Sequence, residues 1–267
     1  MNELVRAERR GPVLVLTLNR PERLNSWTDA LEERYYDRLD AAEDDPQVRA
    51  IVVTGAGRGF CAGADMGDLE QGAGGADVEA ALRNRPRPRT FPLTVRKPLI
   101  AAINGAAAGL GLVEALYCDV RFATPEAKLT TAFARRGLVA EYGMSWLLPR
   151  LVGYSAALDL LLSGRVVLGE EALRLRLVDR LSEPGRVVDD AVAYATELAT
   201  YSSPWSMATI KAQVQADLDR SFTEAVAEAE ELMIRSFGQP DVGEGVLSYQ
   251  ERRTPDFPSL EPRSVTR

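Results

Sequence analysis

The sequence predicts an α/β fold with substantial parallel strand pairing. Short aliphatic runs recur at residues 13–19 (V-L-V-L-T-L-N), 48–54, 99–104, 118–123 and 177–181. Helical patterns separate these runs, and strands alternating with helices are the mark of crossover units. The chain has 267 residues, 46% of them hydrophobic and 27% charged, which suits one large core rather than a stapled or disordered chain.

Taken in order, residues 13–19 form the first strand. Residues 28–44 form a helix, because Leu31, Tyr35, Leu39 and Ala42 recur at helical spacing behind Thr28 or Ser26 as N-cap. Residues 48–54 form a second strand, ended by Gly55. Residues 71–76 (Q-G-A-G-G-A) and 83–89 (R-N-R-P-R-P-R) read as a mobile surface loop. Its arginines read as a solvated run, or alternatively as a patch for ligand phosphates. The runs at 99–104, 118–123 and 177–181 complete the strand set. Beyond residue 203 only amphipathic helices follow, at 205–218, 221–237 and 241–252. The division is therefore a core at 1–203 and a helical region at 204–267, whose apolar faces point to oligomerisation.

Composition excludes several chemistries. There is no histidine, so a Ser-His-Asp triad, a Cys-His dyad and a His-ligated zinc are excluded. Cys61 and Cys118 are too few for a thiolate metal site, and no metal is expected. Only Lys97, Lys128 and Lys211 supply amines, which leaves a carboxylate as the leading general base. The net charge of −7 argues against a nucleic-acid partner. Residues 1–10 carry mixed charge and do not read as a signal peptide. The most apolar stretch, residues 99–113, is shorter than the ~20 residues of a membrane span and holds Asn104 and glycines. The sequence reads as a soluble cytoplasmic protein with no membrane partner.

Two glycine-rich segments each follow a strand: residues 59–66 (G-F-C-A-G-A-D-M) and 104–113 (N-G-A-A-A-G-L-G-L-V). Small residues let backbones approach closely, and such turns aim unpaired N–H groups outward. Side by side they would offer two donors to one oxygen, the arrangement of an oxyanion hole. A tight turn without a ligand is the plain alternative for either segment alone. Gly105, Gly109 and Gly111 lack the spacing of a dinucleotide fingerprint.

The pieces R-P-E-R-L-N-S at 20–26, G-x-G-R-G-F-C-A-G-A-D at 55–65 and K-P-L-I-A-A-I-N-G-A-A-A-G-L-G-L at 97–112 resemble the crotonase superfamily, the enoyl-CoA hydratase/isomerase family. Cys118-Asp119 and F-A-R-R-G-L-V-A-E-Y-G at 133–143 do so too. The match in order covers residues 10–255. The resemblance implies a spiral of ββα units with a C-terminal trimerisation region, giving a homotrimer or dimer of trimers. It implies an acyl-CoA thioester as substrate and a thioester enolate as intermediate, with coenzyme A part of the substrate and no separate cofactor. It assigns the oxyanion donors to the N–H groups of Ala64 and Leu110, a position usually glycine in the family. It places the CoA moiety along Ala62, Asp65 and Met66 and near Arg23 and Leu24.

The family's hydratases use two glutamates, and at those positions this chain has Val113 and Phe133. Glu114 is one residue away, turned by about 100° on a helix, and reads as a helix-surface or interface charge. Glu141 falls where the resemblance puts the single glutamate of Δ3,Δ2-enoyl-CoA isomerases and the nucleophilic aspartate of aromatic-CoA dehalogenases. Its apolar neighbours Leu138, Val139, Tyr142 and Trp146 would raise its pKa and strengthen it as a base. A solvent-facing first-turn glutamate is the plain alternative. Phe133, Tyr142 and Trp146 are expected to line the acyl pocket, or simply to pack the core. The expected activity is Δ3-to-Δ2 isomerisation. Hydration of 2-enoyl-CoA and non-catalytic acyl-CoA binding stand as alternatives.

Overall fold

The computed structural model describes residues 3–73 and 78–263. Val5–Arg10 (β1) and Val13–Leu18 (β2) form an antiparallel hairpin. Asp29–Asp44 (α1) follows, capped by the Thr28 side chain, which accepts from Leu31 N. Next come Ala50–Gly55 (β3), Gly59–Cys61 (β4), Met66–Ala73 (α2) and Val78–Arg83 (α3). Leu99–Ile103 (β5), Ala106–Ala108 (β6), Leu110–Leu116 (α4), Val120–Ala123 (β7) and Lys128–Thr130 (β8) continue the chain. Met144–Val152 (α5), Tyr154–Ser163 (α6), Val167–Leu168 (β9), Gly169–Arg174 (α7) and Arg180–Leu181 (β10) lead to Val187–Tyr201 (α8). Pro204–Asp217 (α9), Phe222–Phe237 (α10) and Pro240–Glu251 (α11) complete it.

Six strands form the main sheet in the order β1-β2-β3-β5-β7-β10, parallel except for the β1 edge. Period-two alternation sorts β3 between two cores. Ile51 and Val53 face the main core, whereas Ala50 and Val52 meet Val187, Ala191 and Ala195 of α8. Burial on both faces is why β3 reads as one unbroken apolar run.

A second, four-stranded sheet has the order β4-β6-β8-β9, and β4 and β6 come from the two segments that the sequence presents as glycine-rich turns. Its strands are two or three residues long, and β4 and β6 pair in parallel at Gly59↔Ala106 and Cys61↔Ala107. The two sheets are tied where β3 and β5 end. Asn104 Nδ2 donates to the Gly55 and Gly57 carbonyls, and the fully buried Asn25 donates to those of Ala56 and Gly59.

Two local expectations need correction. The strand expected at 177–181 is confined to β10, because Arg176 turns the chain at φ 59 and Leu177 and Val178 leave α7. Of the arginines of 83–89, only Arg83 is solvated, beside the exposed Glu79, and the other three turn inward to acids of α1. Arg85 reaches Asp29 and Glu32, Arg87 reaches Asp37, and Arg89 reaches Glu32, all across the face of α1. Residues 71–73 close α2, while 74–76 lie outside the described residues. No helix among the described residues is long and apolar enough to cross a membrane.

Candidate active site

Parallel pairing of β4 with β6 carries the chain on, side by side, into residues 62–64 and 108–110. Two glycines permit the approach. Gly63 has φ 94, and a Cβ there would lie 2.6 Å from the Ala108 carbonyl oxygen and 3.7 Å from Leu110 N. Gly111 packs so tightly on β4 that a Cβ would lie 2.1 Å from the Cys61 carbonyl oxygen. The flanking amides are left open. Trp27 N donates to Gly63 O and Asp65 N to Trp27 O, so the intervening Ala64 N–H takes no part in that pairing. Leu110 opens α4, where a first-turn N–H has no intrahelical acceptor. Among the described residues neither amide is bonded.

Both residues line a pocket of about 370 Å³. Of the residues singled out from the sequence, Arg23, Ala62, Ala64, Asp65, Met66, Leu110, Phe133 and Glu141 line it together. Leu24 does not. Its carbonyl accepts from Ala62 N and its side chain lies against Gly59, so it shapes the wall from behind. Trp146 and Tyr142 are also outside the lining. Trp146 is 38% exposed under the Arg150 guanidinium, 3.8 Å from its ring centroid, while Tyr142 turns to Arg89. Arg136, from the turn at residues 134–136, lines the pocket and was not singled out from the sequence. An isolated arginine in a charged run carries no signal of which side chain turns inward.

The two pocket carboxylates differ. Asp65 accepts from Ser26 Oγ at 2.8 Å, Gly67 N at 3.1 Å and Arg20 Nη2 at 3.2 Å. Those hydrogen bonds, the Ser26 one foremost, lower its pKa and hold it as a structural carboxylate capping α2. The Glu141 carboxylate has no hydrogen-bond or ion-pair partner among the described residues. Partial burial raises its pKa, against a smaller lowering by the Arg89 charge. Its backbone is held, since Glu141 O accepts from Met144 N at 3.0 Å and the next carbonyl, of Tyr142, accepts from Tyr117 Oη at 2.6 Å. A partly buried carboxylate without a partner, lining the same pocket as two open amides, has the makings of a general base beside an oxyanion site.

Glu114 is not a surface charge. It is 3% exposed on the inner side of α4, with Oε1 3.4 Å from Tyr36 Oη and Oε2 unpartnered. Burial, helped by the nearby Glu32 charge, pushes its pKa well above the usual carboxylate value. Val113, at one hydratase position, is buried and apolar, and Phe133, at the other, is apolar and forms part of the pocket wall.

Comparison with known proteins agrees with this geometry. The family model described as enoyl-CoA hydratase/isomerase matches residues 8–260. The 1,2-epoxyphenylacetyl-CoA isomerase of Escherichia coli K12 is 33% identical, over 96% of this chain and 99% of its own. An enoyl-CoA hydratase structure from Mycobacterium tuberculosis H37Rv superposes with a TM-score of 0.87 at 30% identity, covering 96% of this chain and 99% of that one. One from Polaromonas sp. JS666 gives 0.88 at 28% identity, covering 95% and 99%. The crotonase-type fold, the open amides and the family match lead to one conclusion: the chain belongs to the enoyl-CoA hydratase/isomerase family, whose enzymes act on acyl-CoA thioesters.

Proposed function

We propose that this chain is a Δ3,Δ2-enoyl-CoA isomerase working with one carboxylate. The observation that carries the reading is Glu141, the one pocket-lining carboxylate among the described residues without a hydrogen-bonding partner. The N–H groups of Ala64 and Leu110 receive the thioester oxygen. Glu141 takes a proton from C2 of a 3-enoyl-CoA, and the electron pair delocalises into a dienolate whose charge rests on that oxygen. The protonated Glu141 then delivers its proton to C4, so the double bond moves from C3–C4 to C2–C3. One base suffices because the proton leaves and returns on the same face. Arg23 at the pocket rim suits a phosphate of the CoA moiety, along the wall of Ala62, Asp65 and Met66.

Water addition needs a group that activates water and one that protonates carbon, and the two hydratase positions are Val113 and Phe133. The test is a parallel assay of one preparation on a 3-enoyl-CoA and on crotonyl-CoA. The proposal expects isomerisation to exceed hydration by orders of magnitude. Faster hydration would assign the chain to the hydratases, and tight acyl-CoA binding without turnover would make it a binder. The exposed Ile210, Val214, Met233, Ile234 and Phe237 of α9 and α10 support assembly as a homotrimer or dimer of trimers, which sedimentation would test.

A further inference from the structure

The two halves of the site come from distant parts of the chain, and buried side chains bridge them behind the pocket. Trp27 pairs through its backbone with the segment carrying Ala64, with Trp27 N 2.7 Å from Gly63 O and Asp65 N 2.9 Å from Trp27 O. Its indole Nε1 donates to Glu32 Oε2 at 2.9 Å. Arg89 Nη1 lies 2.8 Å from that same oxygen, an ion-pair contact without hydrogen-bond geometry. The Arg89 guanidinium carbon sits 5.1 Å from the centroid of the Tyr142 ring, next to Glu141. Tyr142 has φ 52, a left-handed conformation that a bulky residue holds only when its surroundings enforce it.

We propose that Trp27, Glu32 and Arg89 form a strut that sets the separation between the oxyanion segment and the Glu141 segment, with Arg89 as positioning residue for the base. The inference rests on reading Glu141 as that base. None of the three strut residues lines the pocket, so they act through Ala64 and Tyr142 rather than on substrate. Burying an Arg–Glu pair is costly, and here Arg85 Nε, Arg89 Nε, Arg89 Nη1 and Glu114 Oε2 are buried without a hydrogen-bond partner. A packed apolar wall would support the pocket at lower cost. What the ionic cluster adds is a fixed reach across the core and a positive charge whose field reaches Glu141.

The groups facing Arg89 are Asp29, Glu32 and Tyr36 of α1, Glu114 of α4, Tyr117 just after it, and Glu141 and Tyr142, with Arg85 sharing Asp29 and Glu32. Arg89 is balanced on the α1 side by Glu32 and, at 3.4 Å, by the exposed Asp29. Its charge lowers the pKa of Glu141 against the effect of burial.

The test measures kcat, KM and the pH dependence of kcat on a 3-enoyl-CoA for Arg89→Gln, Arg89→Lys and Trp27→Phe, with Glu141→Gln alongside. Arg89→Gln should lower kcat about 10–100-fold, the scale of a small misplacement of a reacting group, with KM close to wild type. Its acid limb should move to higher pH. Arg89→Lys should restore the limb through its charge but kcat only in part, lacking the planar stack. Trp27→Phe cuts the other end of the strut and should lower kcat without moving the limb. Wild-type kcat and an unmoved limb in folded Arg89→Gln would overturn the strut; should that variant not fold, wild-type kcat in both Arg89→Lys and Trp27→Phe would do so. Full activity in Glu141→Gln would instead overturn the base reading itself. An inactive Glu141→Gln beside an unaffected Arg89→Gln would leave the base standing and remove only the strut.

Discussion

Gly111 and Cys61 touch backbone to backbone: a Cβ on the glycine would fall 2.1 Å from the Cys61 carbonyl oxygen and 2.7 Å from its Cβ. This contact seats α4 on β4 and so brings the Leu110 amide beside Ala64. Gly111→Ala must push α4 away from the small sheet. We expect a loss of stability of about 1–3 kcal/mol, the usual scale of overpacking, and a larger proportional loss of turnover than of acyl-CoA affinity. Urea unfolding and steady-state kinetics on one preparation check both.

Leu110→Pro tests the second oxyanion donor directly. Proline is favoured at the first position of a helix, and the Leu110 N–H has no acceptor to lose. The substitution therefore deletes the donor while sparing the helical hydrogen bonds. A fall in kcat of about 10²–10³-fold is expected. A proline variant that folds and turns over at the wild-type rate would remove Leu110 from the oxyanion site.

The acid limb of the pH–rate profile should lie above the ordinary glutamate value of 4.5, because burial raises the Glu141 pKa further than Arg89 lowers it. The base works ionised, so kcat/KM falls as pH drops through the raised pKa and levels off above it. A limb at or below 4.5 would place the essential carboxylate in water.

Glu114 makes a separate prediction about stability. Its folded pKa is raised above its unfolded one, so folding takes up a proton. The contribution is fully present below the unfolded pKa near 4.5 and declines as pH rises from there towards the folded value. In that window the wild type should lose about 1.4 kcal/mol per pH unit relative to Glu114→Gln, which has no proton to release. Urea titrations of both proteins from pH 5 to pH 8 measure this difference. Parallel curves would mean that Glu114 is ionised in the folded protein.

The parts of this fold legible in the sequence are those with a long local pattern. β2, β3 and β5 are unbroken aliphatic runs, and α1 shows its inward stripe of Leu31, Tyr35 and Leu39. The small sheet was hidden because β4 is Gly-Phe-Cys and β6 is Ala-Ala-Ala, three residues each with no alternation to read. β1 was hidden because four of its six residues are charged and it forms the sheet edge. The Arg85–Arg89 cluster was illegible for another reason: its burial depends on acids of α1 more than fifty residues earlier in the chain. Glu114 did leave a trace, as the single charge in the otherwise apolar run Leu110–Leu116, but nothing local says whether such a charge faces water or the core.

The central claim is that Glu141 carries the proton, and the rate of 3-enoyl-CoA isomerisation by Glu141→Gln tests it most directly. Glutamine keeps the shape and removes the base, so the account predicts a loss in kcat of about 10²–10⁴-fold with little change in acyl-CoA affinity. A Glu141→Gln enzyme that isomerises at the wild-type rate would contradict it.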